Sequence, residues 1–167
     1  LADKCRKDSE FRNRLKIRLV GKTDIQIIRS IEDAGLKDNL IDLGYQPHEV
    51  AVDEQRKASL LILPLRKEPE YKAVLPGKLF EYIASRRPVL GIGQPDGAMA
   101  MIMDSTKTGT VLDWNDREAV GRFIDRCWCD HCKGTLTVEG ADISQFTRRN
   151  LTRRMAELFD RIVSGKQ

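Results

Sequence analysis

The sequence predicts an α/β protein with a doubly wound, mostly parallel sheet of at least five strands in a Rossmann-like arrangement. Three observations predict it. Short β-like apolar runs alternate with longer helical stretches along the whole chain, as repeated βαβ units require. One of those runs, SLLILPL (59–65), is almost continuously apolar, as a parallel strand covered on both faces should be. The 167 residues, 41% hydrophobic and 32% charged, suit a single domain over 1–167. A chain of about this size buries roughly 68–70% of its unfolded surface, so it needs no disulfide or metal to hold it.

The elements follow in order. LADKCRKDSEFRNRL has the charge and spacing of a helix. KIRLVG (16–21) reads as the first strand, and the next helix carries Ile25, Ile28 and Ile31 on one face and ends near Gly35. NLIDLGY (39–45) is the second strand, and Pro47 suits the first turn of the helix after it, where its missing N–H is no loss. After SLLILPL, the polar loop RKEPEYKAV leads to a helix from about Pro76 to Ser85. PVLGIG (88–93) is the fourth strand, AMAMIMD (98–104) a short helix and GTVLDW (109–114) the fifth strand. Asn115 is the expected N-cap of a helix in NDREAVGRFIDRC. The loop KGTLTVEGAD precedes a terminal helix within 144–164, with Leu151, Met155, Leu158, Phe159 and Ile162 along one stripe.

Charge and hydropathy exclude several classes. The 29 basic and 25 acidic residues leave +4, too small and too evenly spread to call for a nucleic-acid partner. The densest basic cluster, Arg148, Arg149, Arg153 and Arg154, is an exposed helix face or a contact for phosphate or an anionic membrane. There is no apolar run near the ~20 residues of a membrane span and no secretory leader, so a soluble, cytoplasmic protein is expected, with peripheral membrane contact as an addition. The chain opens on Leu1 rather than Met, in a helix-like segment, which predicts a piece of a longer protein.

Of four cysteines, Cys127, Cys129 and Cys132 fall with His131 in CWCDHC. Structural zinc sites draw ligand pairs from two places, and no second pair exists here, so three reduced thiols at a helix end are expected and a zinc or redox module is the alternative. Unpaired cysteines suit a reducing compartment. GxxxxGK[ST], GxSxG and HExxH are absent, and His48 and His131 are the only histidines, which leaves little for histidine-based catalysis. GIGQPDG departs from a dinucleotide fingerprint, because Gly97 comes one residue late and Pro95 interrupts the turn; it reads as a tight strand-to-helix turn.

The informative stretch is LPGKLFEYIASRRPVLGIG (75–93). Pro76 and Gly77 begin a helix after a loop, so the free N–H groups of its first turn and its positive dipole end face the strand-end crevice, where a pyrophosphate fits. Gly77 permits close approach to the backbone, Lys78 adds positive charge, and Glu81 returns to the same face as Gly77. A carboxylate there can accept both hydrogen bonds of a ribose diol. Leu79, Phe80, Ile83 and Ala84 would anchor the opposite stripe to the sheet. The alternative is a surface ion pair between Lys78 and Glu81 on an ordinary helix.

PGKLFEY followed by PVLG, with KIRLVG, NLIDLGYQPHEVAV and KASLLILPL before it and TGTVLDWNDREAVGRFI after it, resembles the C-terminal, nucleotide-sugar-binding half of a two-domain GT-B glycosyltransferase of the retaining group 1 (family 4-like) type. The resemblance covers about residues 10–125. It implies that Glu81 grips the donor ribose, that the helix start at Gly77 and Lys78 faces the diphosphate, and that Gly44, Tyr45 and Gln46 lie beside the nucleobase. Tyr45 by itself reads equally as an aromatic packed at a strand end. The family's EX7E pattern puts an earlier glutamate eight positions before Glu81, and here that position is Ala73, with Glu68 and Glu70 nearby at other spacings. The first strand, its Gly-rich turn, the Arg/Lys pair for the departing diphosphate and the acceptor domain are expected upstream of Leu1, so this piece by itself should be inactive.

The resemblance thus implies transfer of a hexose from a UDP- or GDP-sugar to a hydroxyl acceptor, in polysaccharide biosynthesis, with the donor as substrate, no cofactor and no metal. No catalytic residue is assigned. A nucleotide-sugar epimerase of the same architecture is the alternative reaction class. In such two-domain enzymes the terminal helix crosses toward the partner domain, so its apolar stripe is expected to be partly exposed here and to favour self-association.

Overall fold

The computed structural model describes residues 1–138 and 143–165. The chain divides into two compact units, Leu1–Ser59 with Arg117–Leu136, and Leu60–Asp116 with the described residues from Thr137 onward.

In the first unit the opening segment is two helices, α1 (Ala2–Lys7) and α2 (Ser9–Arg14), rather than one. Asp8 divides them. Its backbone is extended (φ −133, ψ 101), and its carboxylate accepts the Phe11 amide at 2.8 Å, so the residue that stops α1 caps α2. The parallel strands β1 (Ile17–Leu19) and β2 (Leu40–Asp42) pair Ile17 with Leu40. They are joined by α3 (Ile25–Ile31), whose N-cap Asp24 accepts the Gln26 amide at 2.8 Å. The expected face of α3 holds in part, because Ile28 and Ile31 are half-buried while Ile25 is 56% exposed. Pro47 sits at the N-cap of α4 (His48–Lys57), one position before the first turn expected for it.

The last helix of this unit, α7 (Arg117–Lys133), runs well past the expected stretch and takes in all of CWCDHC. Asn115 does not cap it. The Asp113 carboxylate accepts the Asn115 amide at 2.8 Å, which closes a turn before the helix begins. Cys5, Phe11 and Leu36 form the core with Trp128 packed against them, and Phe11 meets Trp128 edge to face at 5.1 Å between centroids. Buried Asn39 donates to the Arg12 and Leu15 carbonyls at 2.7 and 3.0 Å, satisfying the C-terminal end of α2.

The second unit holds the parallel sheet β3 (Leu61–Pro64), β4 (Val89–Ile92), β5 (Gly109–Leu112), in that order. Its crossovers are α5 (Gly77–Ala84) and α6 (Ala98–Thr106). Leu79, Ile83, Val89, Leu90, Met99 and Met103 are buried almost completely. Five parallel strands are therefore present, as expected, but in sheets of two and three rather than in one, and neither sheet reverses its strand order among the described residues. The strand covered on both faces is not SLLILPL. In β3 only Leu61 and Leu63 are buried and Ile62 is 47% exposed, because alternate side chains point to opposite faces and only one face of this strand is covered. The central β4 instead buries Val89, Leu90 and Gly91 in succession.

Of the expected loop 133–142, residues 139–142 lie outside the described residues. A short turn at Ser144–Phe146 leads to α8 (Arg148–Val163), where the Thr147 hydroxyl accepts the Asn150 amide. Phe146 packs on Phe80 of α5 at 5.6 Å. Leu151, Met155, Leu158, Phe159 and Ile162 are all exposed, by 48–66%.

Candidate functional site

In the second unit, α5 leads back from β3 to the parallel β4, so its N-terminus stands at the carboxyl end of that sheet, where α/β folds gather ligands. Pro76 precedes the helix in an extended conformation (φ −67, ψ 138) and offers no side-chain cap. Its carbonyl accepts the Leu79 amide at 2.9 Å, leaving the amides before Leu79 as donors for an anion. A β-carbon added at Gly77 would meet nothing within 4 Å, and the backbone there is not in the left-handed region. Glycine at this position is thus required by neither packing nor conformation, and it leaves clear space in front of the helix start.

Lys78 is exposed and Glu81, one turn further, is half-buried. Burial pushes the neighbouring Tyr82 phenol up, and the Glu81 charge adds to that shift. Leu79 and Ile83 form the anchoring stripe and Phe80 reaches Phe146, but Ala84 is exposed and takes no part in it.

Two loops at the same end of this sheet, those after β3 and β4, are tied to each other. Lys72, in the loop after β3, bonds the Asp96 carboxylate at 2.5 Å, and that bond holds the Asp96 carboxyl below its usual range against the opposing effect of desolvation. A β-carbon on Gly97 would lie 2.9 Å from the Lys72 carbonyl oxygen, so the GIGQPDG turn needs glycine for close approach of two backbones. That accounts for the motif as a tight turn at the start of α6, as the sequence suggested. The Lys72–Asp96 tie itself has no sequence signal, because its partners lie 24 positions apart in two loops. Ala73 ends the short helical turn Pro69–Ala73, and Glu68 and Glu70 are exposed beside it.

In the first unit, Gly44, Tyr45 and Gln46 follow β2 at the carboxyl end of its sheet. Asp42 accepts the Gly44 amide at 3.0 Å, and Gly44 takes the left-handed conformation (φ +60) that turns the chain. The D-x-G pattern at 42–44 carried that signal. Tyr45 is 87% exposed, so it is not an aromatic packed at a strand end. The Gln46 side chain folds back and donates one Nε2–H to the Leu43 carbonyl at 2.5 Å.

CWCDHC does not assemble a metal centre. The helix sets Cys127 with His131 and Cys129 with Cys132 on two different sides, and among the described residues no group of three or more His, Cys, Asp or Glu side chains could hold an ion. Cys127 is half-buried, Cys129 and Cys132 are exposed, and all are free thiols. Both His131 nitrogens are engaged, Nε2 with Arg14 at 3.0 Å and Nδ1 with the Ser59 hydroxyl at 3.3 Å. Because a guanidinium only donates, Nε2 is an acceptor in that pair. At the other end of the chain Arg148, Arg149, Arg153 and Arg154 are exposed, and Arg153 pairs with Glu157 at 3.3 Å. Among the described residues no helix is long and apolar enough to cross a membrane.

A family model described as glycosyl transferases group 1 matches residues 2–130. No curated protein matches. Among solved structures the chain is similar to WaaG, a glycosyltransferase involved in lipopolysaccharide biosynthesis, with 19% identity and a TM-score of 0.60 over 77% of this chain and 33% of that one. It is also similar to HepE of Anabaena, solved in complex with UDP, with 18% identity and a TM-score of 0.55 over 74% of this chain and 34% of that one. The chain spans about a third of the length of the solved structures it matches.

Proposed function

The chain belongs to the group 1 glycosyl transferases, and from that premise we propose that it is the donor-binding part of an enzyme that moves a hexose from a nucleoside diphosphate sugar to a hydroxyl acceptor, with retention at the anomeric carbon. The observation that carries this reading is the start of α5: an N-terminus with no side-chain cap, clear space at Gly77 and an exposed Lys78 beside it.

In this reading the first-turn amides and Lys78 take the diphosphate, and Glu81 accepts the two ribose hydroxyls. Their chemical contribution is electrostatic. Donors fixed before reaction meet the charge that develops on the leaving diphosphate, without reorganising at the moment of transfer. Gly44, Tyr45 and Gln46 take the nucleobase side. One Nε2–H of Gln46 is held by Leu43, which leaves its Oε1, its second N–H, Tyr45 and the loop backbone to meet a base. The donor is a substrate, and no cofactor or metal enters the reaction. The enzyme works in the cytoplasm, where nucleotide sugars are made.

The test is calorimetric titration with UDP, GDP and ADP, starting with UDP because HepE was solved with it, on the parent and Glu81→Ala. One nucleotide should bind, and the variant should lose about 1–3 kcal/mol. Equal binding by parent and variant would remove Glu81 from the site.

A further inference from the structure

Cys129 and Cys132 lie on one side of the last turn of α7, three residues apart, and both are exposed free thiols. Helix geometry puts such Cα atoms about 5 Å apart, inside the span a disulfide bridges, while the β-carbons must draw together by roughly 1 Å or more. The place for that adjustment is a helix end. Here the Gly134 amide bonds the His131 carbonyl at 3.1 Å and the Thr135 amide bonds the Asp130 carbonyl at 2.9 Å, so α7 ends at Lys133, one residue after Cys132. The two thiols are not equivalent. Arg14 of α2 donates from Nη1 to the Cys132 sulfur at 3.8 Å and to the Glu10 carboxylate at 3.2 Å, while its Nη2 contacts His131 and its guanidinium lies 5.0 Å over Trp128, so Cys132, unlike Cys129, has a fixed donor against its sulfur. Cys127 differs again: it is half-buried, and burial together with the Asp130 charge pushes its thiol up.

We propose that Cys129 and Cys132 are a reversible dithiol modification site for peroxides, with Cys132 the attacking sulfur and Cys129 the resolving one. In the first step the Cys132 sulfur attacks one oxygen of hydrogen peroxide, the O–O bond breaks, and the thiol proton leaves with the other oxygen as water, giving a sulfenic acid. In the second, the Cys129 sulfur attacks that sulfur, the S–O bond breaks, and the hydroxyl leaves with the Cys129 proton as a second water. Two thiols lose two electrons to one peroxide. Neither step depends on the donor-site reading.

Treatment of the protein with a small excess of hydrogen peroxide, followed by intact mass measurement and counting of thiols with N-ethylmaleimide, tests this. The parent should lose about 2 Da and two alkylatable thiols, both restored by dithiothreitol. Cys127→Ser should do the same. Cys129→Ser should stop at a sulfenic acid that dimedone traps, Cys132→Ser should lose the fast reaction, and Arg14→Gln should slow it several-fold with the protein still folded. The proposal is overturned if the mass change persists in Cys129→Ser, if Cys127→Ser abolishes it, if the disulfide links two chains, or if the parent keeps all its thiols or runs directly to a sulfinic acid.

Discussion

The Gly44 carbonyl accepts a 2.7 Å hydrogen bond from the Gly21 amide, joining the loops that leave the carboxyl ends of β1 and β2. Both glycines sit at positive φ, +60 and +119. A side chain at Gly21 is strained whatever the space around it, so Gly21→Ala should cost about 1–2 kcal/mol in urea unfolding. Tyr45, next to Gly44 and 87% exposed, has little packing to lose. Tyr45→Ala should change stability by no more than about 0.5 kcal/mol while weakening nucleotide binding. A large stability loss in that variant would show that the ring packs in solution.

Gly77 separates binding from stability. Alanine there fits a helical backbone with nothing within 4 Å of its methyl group, so Gly77→Ala should stabilise the fold by about 0.4–1 kcal/mol. The same methyl stands before the first-turn amides and should weaken nucleotide binding. A variant that melts higher and still binds equally well would argue against an anion at that helix start.

The Lys72–Asp96 tie predicts a pH dependence of definite sign. The folded-state carboxyl of Asp96 titrates below its ordinary value, so its contribution to stability is present above the usual carboxylate range and disappears as pH falls through the lowered value. The melting temperatures of the parent and Asp96→Asn should therefore differ at neutral pH and converge in strong acid. A constant difference from pH 2 to 7 would refute this.

Thr106 and Thr108 form a buried hydroxyl chain. The Thr106 hydroxyl donates to the Ile102 carbonyl at 2.8 Å and lies 2.8 Å from that of Thr108, which therefore donates to it. Thr106→Val strands a buried donor and should cost about 1–3 kcal/mol. Thr108→Val leaves the Thr106 bond to Ile102 intact and should cost less, and the double variant should fall short of the sum. Additivity in a double-mutant cycle would disprove the coupling.

The exposed stripe of α8 should drive self-association. Phe159 is 57% exposed, so Phe159→Ser should leave thermal stability nearly unchanged and lower the associated fraction in sedimentation at high concentration. A parent that stays monomeric throughout would exclude this role for the stripe.

Local physics made much of the architecture legible. The five strands, the start of the PGKLFEY helix and the amphipathic stripe of α8 are written in periodicity and in Pro and Gly positions, which act over a few residues. Boundaries were less so. The opening helix splits because Asp8 prefers to cap α2, and α7 absorbs CWCDHC because nothing before Gly134 stops it. For the candidate site, Gly77, Lys78 and Glu81 were proposed from spacing along one helix, whereas the Lys72–Asp96 tie depends on a chain return that no local pattern encodes.

The sequence by itself determined the alternation of parallel strands and helices, the family, and the start of the helix at Pro76 and Gly77, because hydrophobic period and backbone chemistry are properties of neighbouring residues. Tertiary structure alone decided that the strands pair in sheets of two and three, that PVLGIG rather than SLLILPL is covered on both faces, and that Tyr45 is open while His131 is spent on Arg14 and Ser59. Those outcomes turn on which distant surfaces meet, and burial and hydrogen-bond partners are set only when they do.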